Sequence, residues 1–489
     1  MEAFIIKLLN NSGYFRISFV LCLFFTNVAF LQIPAYVALI FLGLWGVYLT
    51  VRNIAKFKAY KNMEFGFWAM AFVALNIITI FVHFSQQFII NLLMVVFMSV
   101  CFFVFYGAHI EGIKTIKHEL YTVARLLLYI VTLMQIAGIF CLVVKISYHN
   151  EWMDLIIYEN RFTGLFINPN LSGFCSVTVI FFIHLLYIHN FDSRFTEMSR
   201  ISRIWLAMGL FINIITLFLC DSNSSMVLFL GYVIIFVVTR FISSRNDYNK
   251  KQFVLRLCST VLAGVVIIFC TFFMRNLCQA GMSALVNSQS SIVLSDSDMI
   301  YSDIADQDAV TFEHENENID SGRFTLWSQA MTIFAHYPII GIGKGNLLSY
   351  SYQFFKDGMH FADLYSGDFS GLFASFTTDI HNAYITILVC SGVIGFLLFM
   401  IFAVRNGFAI TKFLFKSEKT LDGDIFHVMF SFAVSYLFFA CFEKAVLYDI
   451  SFMVIMFWFV LGQIMCYNIR EPRLNTHTTF KESMKSVLL

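Results

Sequence analysis

Charge is scarce in this chain and proline scarcer: 13% of the 489 residues are Asp, Glu, Lys or Arg, and only four are proline. A soluble protein long enough for about three domains needs roughly twice that charge to cover its surface, so the soluble class is excluded. The chain has no CxxC pair, and most of its eleven cysteines fall inside apolar runs. They read as small apolar residues rather than a disulfide framework or a metal site. No short apolar segment followed by a small-residue cleavage site opens the sequence, so the first apolar run is expected to stay attached as a helix. The net charge of +1 leaves no footprint for nucleic acid, which is not expected as a partner. Ionisable residues deep inside the apolar runs are also few, Arg125 and His184 being the nearest cases, and no internal repeat is visible. Both absences count against an ion-coupled transporter.

What is present is hydrophobic: 59% of residues, distributed in runs long enough to cross a hydrocarbon core of about 30 Å as helices. Twelve are expected, near 15–32, 35–51, 64–82, 88–106, 121–145, 171–189, 204–220, 224–240, 253–274, 384–404, 426–442 and 446–466. The fold class is therefore all-α, a polytopic membrane protein of about 12 transmembrane helices. Its organisation reads as helices one to nine over 1–274, a large extracytoplasmic loop carrying an amphipathic helix over 275–383, helices ten to twelve over 384–466, and a cytoplasmic tail over 467–489. Lysine and arginine gather on the cytoplasmic side of a membrane protein, and here they alternate between connectors, with Arg52, Lys56, Lys58 and Lys61 in one and Arg405, Lys412, Lys416 and Lys419 in another. That pattern puts both termini inside and the long loop outside.

Cations left on the outer side need a reason to be there, and three sit in patterned surroundings: Arg161, Arg323 and Lys344. Arg161 opens RFTGLFINPNLSGF, where Asn168, Pro169 and Asn170 signal a tight turn before the sixth helix. An ordinary loop whose arginine meets lipid phosphate explains this segment as well as a binding site does. Asp221 to Ser225 forms the only break between helices seven and eight and reads most simply as a polar hairpin turn.

The long loop has two unlike parts. From Asp296 to Asp320 there are nine acidic residues and no lysine or arginine, the composition of a solvated, mobile insert. Its DxD pairs, Asp296 with Asp298 and Asp306 with Asp308, are expected by chance in such a run, and no metal site is assigned to them. Beyond Gly322, Phe324, Trp327, Met331 and Phe334 recur at helical spacing opposite Thr325, Ser328, Gln329 and Thr332. An amphipathic helix follows, capped by Asp320 or Ser321 and ended by Pro338, lying on the membrane surface or packed on the bundle. Arg323 then stands in the first turn, where the helix dipole disfavours a cation by roughly 0.3–1 kcal/mol, so an anion is expected to offset it. In GIGKGN, Gly341, Gly343 and Gly345 surround Lys344 as a flexible turn bearing a point charge. The spacing is not that of a P-loop. His381 and Asn382 stand at the start of the tenth helix, a position that favours the neutral imidazole. A structural role is the commoner one for a lone histidine there.

Three segments together resemble the O-antigen ligase and polymerase superfamily of membrane glycosyltransferases: RFTGLFINPNLSGF from Arg161, SGRFTLWSQAMTIFAHYPIIGIGKGN from Ser321, and HNAYITILVCSGVIG from His381. The resemblance implies transfer of a sugar chain from an undecaprenyl-diphosphate-linked donor to an acceptor hydroxyl at the outer face of the bacterial cytoplasmic membrane, with no cofactor and no metal. It implies His381 as the base and Arg323 as a carrier-diphosphate ligand, with Arg161, Lys344 and Asn382 as further substrate-binding residues. Membrane lipid, a flippase and a chain-length regulator are the partners expected. Ser222 is followed by Asn223 where the family commonly has Ser-Arg, so Arg161 or Lys344 is expected to supply a second cation. A repeat-unit polymerase leads; a ligase onto lipid A core or another surface acceptor is the alternative in the same class, and a lipid-linked oligosaccharide flippase or transporter the alternative outside it.

Overall fold

The computed structural model describes residues 6, 8–84, 87–111, 113–150, 153–158, 160–191, 200–244, 249–288, 292–295, 312, 322–355, 379–415 and 421–468. The acidic insert with its DxD pairs, Phe312 excepted, and the tail beyond 468 lie outside them. The chain is an all-α polytopic membrane protein with one small sheet. Its helices are α1 (Ser12–Phe25), α2 (Gln32–Ala55), α3 (Gly66–Val82), α4 (Phe88–Val100), α5 (Ile113–Val143), α6 (Pro169–Phe191), α7 (Arg200–Leu219), α8 (Asn223–Ser243), α9 (Lys250–Asn287), α10 (Arg323–His336), α11 (Leu347–Phe354), α12 (Ala383–Leu414), α13 (Leu421–Phe439) and α14 (Phe452–Asn468).

Setting aside the short α10 and α11, each expected apolar run has its helix. Among the described residues, eight helical segments are long and apolar enough to cross a membrane unaided, while Ser12–Phe25, Gly66–Val82 and Phe452–Tyr467 are shorter. The difference has a physical pattern. Helices α1 and α14 are buried along most of their length, with Phe15, Phe24 and Trp458 fully enclosed, so neighbouring helices rather than their own length shield their ends. The peripheral helices α2 and α9 expose rows such as Ile33, Val37, Ile40, Phe41 and Leu44, or Leu255, Leu262, Phe269 and Phe273. Facing lipid, such helices must be long and apolar for most of their circumference.

Several boundaries differ from expectation, and two of them bear on the site. Helix α9 continues through Arg275 to Asn287, so the segment expected to open the loop begins as helix. The last helix starts at Phe452, not near 446, because Glu443, Lys444 and Asp449 occupy an irregular connector. The segment around Arg161, expected to be a loop, is a sheet of order β3-β2-β1-β4 formed by β1 (Ile146–Asn150), β2 (Met153–Tyr158), β3 (Arg161–Gly164) and β4 (Ile292–Ser295). Strands β1 to β3 pair antiparallel in sequence and β4, arriving after α9, pairs parallel to β1. Leu142, Ile156, Phe162, Leu219, Cys220, Val286 and Phe312 form the small core beneath it.

In the first turns of α1, Arg16 is buried. Its guanidinium donates to both Glu119 oxygens at 2.8 Å and to the Glu111 carboxylate at 2.8 and 2.9 Å. The ion cluster joins α1, Glu111 in the connection between α4 and α5, and Glu119 on α5.

Candidate functional site

The site is built on the start of α12. Asn382 caps that helix, accepting from the N–H groups of Tyr384 and Ile385 at 3.0 Å, and its amide donates to the Cys441 carbonyl at 3.0 Å. Asn382 is thereby committed to the backbone: it fixes the residue before it rather than presenting free polar atoms. That residue, His381, has φ of 48°, a left-handed conformation uncommon outside glycine. Asp379 imposes it by accepting from the backbone N–H groups of Ile380 and His381 at 2.7 and 3.0 Å. Trp327 of α10 donates its indole N–H to the Ile380 carbonyl at 3.0 Å. The amphipathic helix therefore holds the histidine turn directly.

Around the imidazole, Asp379 Oδ2 lies 3.3 Å and Glu443 Oε2 3.4 Å from Nδ1, while the side chain keeps 32% of its surface exposed. Burial pulls the His381 pKa down, but Asp379 and Glu443 outweigh it and the pKa is raised. This corrects the expectation of a ring kept neutral by the helix terminus: two carboxylates at contact distance overcome the dipole. Asp379 in turn is held well below the usual carboxylate range. Burial would raise it, but Lys444, His381 and Lys344 together with its backbone hydrogen bonds prevail. Lys444 Nζ lies 3.7 Å from Asp379 and 3.4 Å from Asp449.

Arg323 is the first residue of α10, whose N-cap is Gly322 at φ 76° with no capping side chain. The expectation of Asp320 or Ser321 in that place is corrected. The anion that offsets the dipole is a protein carboxylate, with Glu443 Oε1 lying 3.5 Å from the Arg323 guanidinium. Leu326, Ala330 and Ile333 pack α10 inward, whereas Phe324 and Met331 of the expected apolar stripe are exposed. The helix therefore serves both expected surfaces, one on the bundle and one outward.

Lys344 is not on a flexible turn. It is 2% exposed, and burial lowers its pKa against the opposing pull of Asp379. The cause lies in α12, which breaks at Gly392 (φ 64°, ψ −174°). A break within a membrane helix orphans backbone groups that must be satisfied by protein. The segment before Lys344 satisfies them: Ile342 and Gly343 donate to the carbonyls of Val389 and Cys390 at 3.1 and 2.9 Å, and Val393 and Ile394 donate to Pro338 and Ile339 at 2.7 and 3.1 Å. A Cβ on Gly341 would stand 2.5 Å from the α12 backbone, and one on Gly392 2.3 Å from the Ile339 carbonyl. Glycine is needed at both for close approach rather than for mobility.

Arg161 lies on β3, 6% exposed, where it donates to the Cys220 carbonyl at 3.0 Å and to Asn170 Oδ1 at 2.6 Å. A run of hydrogen bonds leads from it toward His381: Ser225 donates to the Asn170 carbonyl at 3.2 Å, Ser222 to Ser225 at 3.0 Å, Ser222 and Ser224 share a bond at 3.3 Å, and Ser224 donates to Glu443 Oε1 at 2.9 Å. On the other flank of the same turn, Arg275 of α9 pairs with Asp221. Where the family motif has an arginine after the serine, this chain thus has Asn223 with two guanidinium groups, Arg161 and Arg275, brought in from other elements.

Glu443, Lys444, Asp449, Ser224 and Arg275 were not anticipated. Three charges within seven residues, Glu443 to Asp449, interrupting an otherwise apolar stretch were the available signal, obscured by treating Asp449 as part of a spanning helix.

The arrangement is a buried polar site at one end of a multi-pass membrane bundle, with a carboxylate-flanked imidazole among lysine and arginine side chains. Residues 208–400, about two fifths of the chain, match the family model described as O-Antigen ligase. The matched residues include Arg275, Arg323, Lys344 and His381; Arg161 and Glu443 lie outside them. No curated protein matches the chain.

Proposed function

We propose that the protein transfers glycan from an undecaprenyl-diphosphate-linked donor to a sugar hydroxyl at the outer face of the cytoplasmic membrane, joining repeat units of a surface polysaccharide. The observation that carries this reading is the placement of His381 Nδ1 against Asp379 and Glu443 with Arg323, Lys444 and Lys344 in the same cluster. With Nδ1 turned to carboxylates, that nitrogen holds the proton and Nε2 is the basic position. Nε2 takes the proton of the acceptor hydroxyl as its oxygen bonds to the sugar C1, while the bond from C1 to the diphosphate breaks. An in-line displacement inverts the linkage. Arg323, with Arg161, Arg275 and Lys344 as the further cationic groups at this end, compensates the charge gained by the departing diphosphate. One cation about 4 Å from a phosphate charge is worth on the order of 4 kcal/mol at an effective dielectric of 20. These side chains do the charge work, and no divalent ion is part of the reaction as proposed.

The family description favours a ligase as the second reading. His381→Ala and Arg323→Ala in cells, followed by analysis of lipid-linked and surface glycan, test both. Loss of a polymerase leaves single repeat units on the surface acceptor, whereas loss of a ligase leaves polymer on the undecaprenyl carrier. Long chains made at the normal rate by both variants overturn the catalytic assignment.

A further inference from the structure

The carboxylate of Glu443 is shared three ways. Oε1 accepts from Ser224 Oγ at 2.9 Å and lies 3.5 Å from the Arg323 guanidinium, while Oε2 lies 3.4 Å from His381 Nδ1. A charge-assisted N–H···O bond runs about 2.7–2.9 Å, so only the serine holds this carboxylate at full bonding length. It stands between a guanidinium and an imidazole and is closed on neither. Asp379, the other carboxylate at His381, is pinned by two backbone N–H groups and by Lys444. Glu443 sits in the irregular connector between α13 and α14 and can shift where Asp379 cannot.

We propose that Glu443 is a positioning residue that couples donor binding to the strength of the base: the donor's diphosphate takes the Arg323 guanidinium, and the released carboxylate closes on His381 Nδ1. This rests on the reading of His381 as base and Arg323 as a diphosphate ligand. The imidazole is faced by Asp379 from its own turn, by Glu443 and Lys444 from the α13–α14 connector, by Arg323 from α10 through Glu443, and by Lys344 through Asp379. Of these, Glu443 alone is in contact with both the base and the proposed diphosphate ligand. The base then reaches full strength only when a donor is in place. During transfer Nε2 gains the acceptor proton, Nδ1 keeps its own, and the imidazolium charge is met by Glu443.

The test uses the full-length protein in nanodiscs with a lipid-linked oligosaccharide as donor. The acid limb of kcat/KM reports the free enzyme and that of kcat the donor complex. For the wild type, the limb of kcat is expected roughly 0.5–1 pH unit above that of kcat/KM, because the carboxylate shortens its existing contact with Nδ1 and no longer shares its charge with Arg323. Glu443→Gln keeps the shape and removes the charge, and the separation should collapse with kcat reduced at least about tenfold. Ser224→Ala frees the carboxylate from its tether, and the separation should narrow with the kcat limb in place. A wild type whose limbs coincide, or a separation unchanged in Glu443→Gln, overturns the coupling while inactivity of His381→Ala leaves the base assignment standing. If Glu443→Gln does not fold, an unchanged separation in Ser224→Ala overturns it. Full activity in His381→Ala overturns the underlying reading and the coupling with it.

Discussion

At the scale of single residues, the site is governed by the pairing of buried charge. His381 sits between two carboxylates, and its raised pKa gives a signed prediction. The base must be deprotonated, so kcat should rise with pH through a limb displaced above the ordinary histidine value of about 6.5. A pH–rate profile checks this, and a limb at or below that value contradicts the raised assignment. Arg16 makes the complementary point about stability. Removing one member of a buried ion cluster strands the others, at a typical cost of about 3–5 kcal/mol. Arg16→Ala should therefore lower the thermal midpoint in detergent substantially, although its partners Glu111, Glu119 and the Val104 carbonyl take no part in the proposed chemistry. Arg323, Arg161 and Lys344 stood out in the sequence as cations retained in patterned surroundings, and His381 only through the resemblance of its segment to the family. Glu443 and Ser224 did not, because their significance comes from a contact spanning 219 positions of sequence, which no local pattern reports.

At the scale of elements, hydrophobic periodicity and length located every apolar helix, though some ends, such as those of α9 and α12, lie about ten residues or more beyond the expected ones, because burial in lipid demands long apolar runs but does not fix where a helix stops. Irregular elements escaped that reading. The sheet around Arg161 depends on β4, more than a hundred residues further on, pairing with β1. GIGKGN looked flexible because glycine permits flexibility, whereas here it lets one backbone lie against the break in another helix. Gly392 occupies a conformation that is essentially restricted to glycine, and a side chain there meets the Ile339 carbonyl. Gly392→Ala is expected to cost at least about 1–3 kcal/mol and to displace Lys344, with thermal unfolding as the readout. A midpoint equal to the wild type's would mean that the loop and the helix are not clamped as described.

At the scale of the whole molecule, buried short helices and peripheral long ones make a scaffold whose polar chemistry collects at one end. Elements distant in sequence converge there: β3 and α9 supply guanidinium groups, α8 a serine, α10 Arg323, the α12 turn His381, and the α13–α14 connector Glu443 and Lys444. Because protein cations carry the charge in the proposed reaction, transfer by purified protein should proceed at an unchanged rate in excess EDTA. A rate abolished by the chelator and restored by a divalent ion contradicts that part of the account. The central claim is that His381 accepts the proton of the sugar hydroxyl. Its most direct test is single-turnover transfer from a purified lipid-linked donor by His381→Ala, beside a measurement of donor binding. The account predicts a rate reduced by about 10² to 10⁴ with donor affinity within a few-fold of the wild type, and transfer at the wild-type rate would contradict it.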